Sequence, residues 1–279
     1  MTRTENNGEA ILPDIAATIL AKIEEKKIDK AEVAGVGIGV PGPVEETGEI
    51  PCAVNLHWGR KNIEKELGDL TGLAVKAGND ANVAALGEMW KGGGQGAKNL
   101  ILVTLGTGVG GGIIINEKIV TGAHGAGGEI GHAFVNPAET KACNCGNKGC
   151  LEQYASATGI ARLAKEALES EAEDSVLRTV KNISAKSVFD AYKEGDVLAG
   201  KIVDKFAAYL GNALAVFACV SDPDVFVIGG GVSKAGQVLI DAVEKYYKAH
   251  AFTASKETPI KLATLGNDAG IYGAARLVL

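Results

Sequence analysis

The chain has 279 residues, of which 46% are hydrophobic, 22% charged and 5% aromatic, with a formal net charge of −6. That length and composition describe a globular chain of one large or two ordinary domains with a core of Val, Ile, Leu and Ala, and exclude a disordered one. The negative balance and the lack of any Lys/Arg block argue against nucleic acid or anionic lipid as a partner. MTRTENNGEA has no basic segment leading into an apolar core, no apolar run approaches the ~18 residues of a bilayer span, and a cytoplasmic location with no membrane partner is expected.

DIAATILAKIEEK (14–26) carries apolar side chains at helical spacing and follows Pro13, which predicts a first helix. VAGVGIGV (33–40), ended by Pro41-Gly42-Pro43, reads as a buried strand entering a sharp loop. A helix at about 60–70, a strand at 73–78 and a helix at about 80–90 follow, and the glycine stretch KGGGQGAKN (91–99) reads as a lobe boundary. NLILVTLGTGVGGGIIINEKIV (99–120) has β-branched flanks and a glycine middle, the pattern of two strands facing each other across a phosphate-sized turn. After a cysteine-rich insertion come helical segments (about 157–218), a strand (224–230), a helix (about 236–250), a strand (259–265) and a helix (about 269–278).

The halves share letters in matching order. NDANVAALG (79–87) and NDAGIYGAA (267–275) each follow a strand and open a helix, and GVGIGVPG (35–42) sits where VFVIGGGVS (225–233) sits. This favours an internal duplication. The second half opens with the hairpin at 99–120 and the first opens directly with a helix, so an opening hairpin and a third strand are expected to be missing from the first half. The expected lobes are 1–98, small, incomplete and completed by the C-terminal helix 267–279, and 99–266, large and carrying the cysteine loop.

Of five cysteines, Cys52 and Cys219 are isolated in apolar surroundings, whereas Cys143, Cys145 and Cys150 fall within eight residues. In a cytosolic chain such a cluster suggests metal before disulfide. His132, ten residues upstream of Cys143, completes one imidazole and three thiolates, the set for a closed tetrahedral zinc site of structural type. Glu129 and Glu152 flank these ligands. Either alone reads as a solvated surface charge, but a zinc tie would bring both carboxylates together as acceptors for sugar hydroxyls. Asn79-Asp80 at a strand-to-helix junction has two readings, a helix cap and a general base with a substrate-holding amide. LGTGVGGG (105–112) contains G-x-G-x-x-G, but it returns into a strand, which excludes a dinucleotide fold or a Walker A loop and suits backbone donation to phosphate.

GVGIGVPGPV, GNDANVAALGE, LGTGVGGGIIIN, HGAGGEIGH, CNCGNKGCLE and VIGGGVS occur in this order, and over essentially its whole length the chain resembles the ROK family of sugar kinases and sugar-responsive repressors. Residues 99–160 are most similar to glucokinases of Gram-positive bacteria. The resemblance implies an α/β, actin-like ATPase (ribonuclease H-like) duplicated two-lobe fold with a zinc-binding insertion and an N-terminally incomplete first lobe. It implies transfer of the γ-phosphoryl group of ATP, with Mg2+, to the 6-hydroxyl of glucose, and a homodimer. Position by position, Asp80 would be the base, and Asn79, Glu129, His132 and Glu152 would contact the sugar. His132, Cys143, Cys145 and Cys150 would hold Zn2+. Thr107 and Gly108 would contact phosphate, and Gly230 and Gly231 would line the nucleotide pocket. Family members open with a strand bearing Asp-x-Gly-Gly-Thr, and no such motif stands in this sequence. It would lie in the hairpin that the duplication marks as missing, so poor turnover is expected of this chain. The alternatives are an N-acetylmannosamine kinase and a non-catalytic sugar sensor. A repressor of the latter branch needs a helix-turn-helix domain, for which the 13 residues before the first helix leave no room.

Overall fold

The computed structural model describes residue 3 and residues 5–45, 47–51, 56 and 58–279. Cys52 lies outside the described residues. The chain opens with α1 (Glu5–Gly8), a single turn in which Asn6 and Asn7 adopt left-handed backbone angles. Helix α2 (Ile11–Lys26) starts earlier than its apolar periodicity predicts. Pro13 lies inside its first turn, where a missing N–H costs nothing because those donors have no intrahelical acceptor.

Strand β1 (Val36–Val40) pairs in parallel with β4 (Val75–Asn79), from Val36 opposite Val75 to Val40 opposite Asn79. Between them lie the two-residue strands β2 (Glu49–Ile50) and β3 (Lys61–Asn62) and helix α3 (Ile63–Thr71). The expectation of a buried strand at 33–40 is corrected. Only Val40 in β1 is buried, because the strand is paired on one side only among the described residues. Along it runs a cavity of about 860 Å³ whose walls include Ile19, Ile23, Ile38, Ile271 and Val278.

Helix α4 (Asp80–Lys91) leads to a five-stranded sheet in the order β7 (Lys118–Ile119), β6 (Val109–Ile115), β5 (Leu100–Leu105), β8 (Val225–Gly229), β9 (Ile260–Leu262). β5, β8 and β9 run parallel, and β6 returns antiparallel from β5. Side chains alternate across β5: Ile101, Val103 and Leu105 join the main core, whereas Leu100 and Leu102 pack with Ala85, Leu86 and Met89 of α4. A sheet covered on both faces accounts for strands that read as continuous apolar runs.

The main core is filled by α5 (Glu152–Ala155), α6 (Ala157–Ser170), α7 (Ala185–Lys193), α8 (Val197–Ser221) and α9 (Gln237–His250). By length and composition α8 is the one described helix that could cross a bilayer. Core helices share that signature, and 56% of its most apolar stretch is buried, with Leu198, Ile202, Phe206, Leu210 and Leu214 in the core. Cys219, expected among apolar neighbours, is exposed near its end.

The last helix, α10 (Ala269–Arg276), packs on α4 and β1. Glycines permit the approach. A Cβ on Gly273 would stand 1.7 Å from the Val83 carbonyl, one on Gly87 2.1 Å from the Ala269 carbonyl, and one on Gly37 1.7 Å from the Ala274 carbonyl. Helix α4 therefore lies against the large sheet on one side and α10 on the other. Gly273→Ala is expected to overpack this contact, costing ~1–3 kcal/mol and several degrees of Tm by calorimetry. Gly270→Ala, with open space around it, should leave Tm unchanged or slightly raised.

Candidate active site and metal centre

His132, Cys143, Cys145 and Cys150 present ligand atoms that all lie within 4.8 Å of one another. Cys145 Sγ and Cys150 Sγ are 3.6 Å apart and Cys143 Sγ is 3.8 Å from His132 Nδ1. Zinc–sulfur bonds of about 2.3 Å in a tetrahedron give edges of about 3.8 Å, so these two separations match that ion and the longest, up to 4.8 Å, would close by side-chain shifts of about 1 Å. Left-handed Gly146 and Gly149 (φ 89 and 75) turn the chain between the thiols. Burial pushes the Cys150 thiol up to about 12 and Cys143 upward, while the Asn147 N–H pulls Cys145 down. A divalent cation would displace the protons of these thiols.

The two flanking glutamates diverge in their surroundings. Glu129 ends the glycine loop before a short 3-10 turn (Ile130–His132), is half exposed, and lies 3.9 Å from His132 Nε2. His132 thus faces the thiols with one ring nitrogen and Glu129 with the other. Glu152 opens α5 and accepts the Val109 N–H through Oε2 at 3.0 Å, with Oε1 3.6 Å from Cys143 Sγ. A Cβ on Gly108 would stand 2.3 Å from that Oε2, so only glycine leaves room for the carboxylate against the hairpin turn.

Asn79 caps α4 through Oδ1, which accepts the Ala81 and Asn82 N–H groups, while its amide nitrogen donates to Gly42 O at 3.0 Å. One amide hydrogen of Asn79 remains to donate elsewhere. Asp80 is exposed, and its Oδ1 accepts the Ala81 N–H. The cap reading therefore belongs mainly to Asn79. This helix start faces the hairpin: Gly110 approaches the Ala81 side chain, and Asn82 Nδ2 donates to Gly127 O at 3.3 Å, on the loop leading to Glu129. Gly125 on the same loop touches Pro43 and Val44.

Thr107 is exposed at the tip between β5 and β6, its carbonyl accepting from Thr158 Oγ1 at 2.7 Å. Gly230 (φ 83) lies against the Leu105 backbone, where a Cβ would come within 2.6 Å. The carboxyl ends of the parallel strands β5 and β8 thus place 106–108 beside 229–231, the position at which open α/β sheets bind ligands. Next to them Gly231, Ser184, Lys186, Phe189, Lys193 and Lys234 line a cavity of about 340 Å³.

Three groups outside the sequence reading brace the cysteine loop. Glu139, 7% exposed, accepts the Tyr154 hydroxyl at 2.6 Å, pairs with Arg162 at 3.1 Å, and takes the Thr140 and Lys141 N–H groups. Tyr154 stacks on Tyr209 and also accepts from Asn136. Burial alone would raise the Glu139 carboxyl, but the Tyr154 hydroxyl, these amides and Arg162 outweigh it and hold it down at about 2. Burial and Glu139 push the Tyr154 phenol up to about 12. The two side-chain partners, Tyr154 and Arg162, lie 15 and 23 positions from Glu139, and no local pattern announces them; a Glu next to a cysteine loop was the one available signal.

The family profile described as "ROK family" matches residues 2–279. A glucokinase of Halalkalibacterium halodurans is 44% identical over 99% of this chain and 86% of its own. Among solved structures, a ROK hexokinase from Thermus thermophilus superposes with a TM-score of 0.80 at 31% identity, covering 99% of this chain and 87% of that one. A ROK family glucokinase from Streptomyces griseus in complex with glucose and AMPPNP gives 0.74 at 33% identity, covering 99% and 89%.

Because the Glu139 carboxyl is held below its ordinary value of 4.5, its stabilising effect is complete above that pH and is lost as pH falls towards about 2. Glu139→Gln should therefore lower Tm at pH 7, and the gap to wild type should narrow as pH is taken from about 5 towards 3. Parallel Tm curves at all pH values would contradict the assignment.

Proposed function

This chain belongs to the ROK family, and from that premise we propose that it transfers the γ-phosphoryl group of ATP to the 6-hydroxyl of glucose. The observation that carries the reading is the meeting of three parts. The α4 start bearing Asp80 packs on the glycine hairpin at Gly110. Glu152 binds the same hairpin at Val109, and Glu152 and Glu129 flank the Cys3His cluster. Base, phosphate loop and sugar acceptors thereby converge.

In this reading Asp80 Oδ2, which has no partner among the described residues, accepts the proton as the 6-hydroxyl oxygen attacks. Glu129, His132 and Glu152 accept or share hydroxyls of the sugar, and Asn79 donates its second amide hydrogen. Zn2+ is structural, held by His132, Cys143, Cys145 and Cys150. Backbone N–H groups at Thr107 and Gly108 meet the phosphates, and Gly230 and Gly231 border the base, for which the cavity beside Phe189 supplies apolar wall and Lys186, Lys193 and Lys234 supply positive charge. Mg2+, carried with ATP, neutralises charge on the transferred group when bound.

The lobes in this proposal are 1–98 with 267–279, and 99–266. The packing of α10 on β1 supports that grouping. A cytoplasmic homodimer feeding glycolysis belongs to the same proposal; exposed Val216 and Val220 on α8 support a covered surface there.

Coupled ADP release across glucose, mannose, N-acetylmannosamine and N-acetylglucosamine should give glucose the highest kcat/KM. A preference for N-acetylmannosamine would move the chain to the rival kinase class. Asp80→Asn should cut kcat by ~10²-fold or more while glucose affinity by calorimetry stays within about twofold. Equal turnover would reduce Asp80 to a helix-start residue.

A further inference from the structure

Glu88 lies in the last turn of α4 and is 1% exposed. A carboxylate there opposes the helix dipole, and burial without partners would be costly, so local helix chemistry does not explain its presence. Its partners are backbone amides. Oε2 accepts Gly93 N–H at 2.8 Å and Thr264 N–H at 3.1 Å, and Oε1 accepts Leu265 N–H at 2.9 Å. These amides belong to the two segments by which the chain passes from α4 to β5 and from β9 to α10.

The glycines around Glu88 are fitted to it. A Cβ on Gly92 would stand 2.0 Å from Glu88 Oε2, one on Gly93 2.4 Å from the Leu262 carbonyl, and one on Gly94 2.0 Å from Leu100 Cδ1. The glycine run that reads as a lobe boundary is thus also a close-packed seat for one carboxylate. At the other end of the same helix stands Asp80.

We infer that Glu88 is a positioning residue for phosphoryl transfer: by clamping both connecting segments to the end of α4, it fixes where Asp80 stands against the hairpin and the sugar loop. Eight residues of helix separate the two carboxylates, about 12 Å of rise, so a tilt of about 5° at Glu88 displaces Asp80 by about 1 Å. A displacement of that size is enough to cost a positioned reaction about 10²-fold. The inference rests on the role proposed for Asp80.

Glu88→Gln keeps the volume and one acceptor but turns an NH2 group towards an N–H. It should lower kcat by ~10-fold or more, with glucose affinity by calorimetry within about twofold and metal content unchanged. Backbone amide exchange should accelerate at Gly93, Thr264 and Leu265, and also at Ala81 and Asn82 at the far end of α4. Glu88→Asp, one methylene short, should show the same pattern and serves if the Gln variant is unstable. Acceleration confined to the three nearby amides with unchanged kcat would make Glu88 a local cap and overturn the inference. If wild type neither binds glucose by calorimetry nor releases ADP with any hexose, the sugar-kinase reading falls instead, and exchange at Ala81 and Asn82 alone then decides for or against the clamp.

Discussion

Three thiols and an imidazole converging within 4.8 Å are the constraint on which the remainder of the site depends. The ligands come from two segments, one ending the glycine loop at His132 and one preceding α5. A metal held by them would tie the segments and fix Glu129 on the first and Glu152 on the second. Through its bond to Val109, Glu152 passes the constraint to the hairpin turn, so the cysteine loop, the proposed sugar acceptors and the proposed phosphate donors share one frame. A loop rich in glycine and polar residues has little apolar surface to bury, and metal binding of ~10 kcal/mol or more can replace a core there. The Glu139–Arg162–Tyr154 group braces the same loop from the side of α6 and α8, with hydrogen bonds that do not involve the metal ligands.

The second constraint is steric. Helix α4 can face the hairpin on one side and α10 on the other only because Gly87, Gly112 and Gly273 have no side chains. Asn79 caps its start, Asn82 ties that start to the Glu129 loop, and Glu88 seats its end. One helix thereby carries the proposed base and is held at its start by the Glu129 loop and at its end by the segments leading to β5 and α10.

Much of this was legible in the sequence, for local reasons. The Cys-x-Cys-x4-Cys spacing, the strand-glycine-strand pattern and the Asn-Asp at a strand-to-helix junction are each fixed by chemistry within a dozen residues. What escaped depends on distant partners. Glu88 and Leu265 are 177 positions apart, so nothing around Glu88 distinguishes it from a solvated helix glutamate. Gly92–Gly94 read as part of a lobe boundary, and composition did not show that their missing side chains also make room for Glu88 and its neighbours. Pro13 suggested a boundary three residues late because proline is tolerated throughout a first turn. β1 looked buried because an apolar run does not say how many neighbours its strand has.

In the proposed site a single bound metal sets the positions of the sugar acceptors. The most direct measurement of this is glucose binding by calorimetry on protein of known metal content, before and after removal of zinc by a chelator and again after zinc is returned. The account predicts about one zinc per chain, loss of glucose binding with the metal, and recovery on readdition. Glucose affinity that is indifferent to the metal would contradict it.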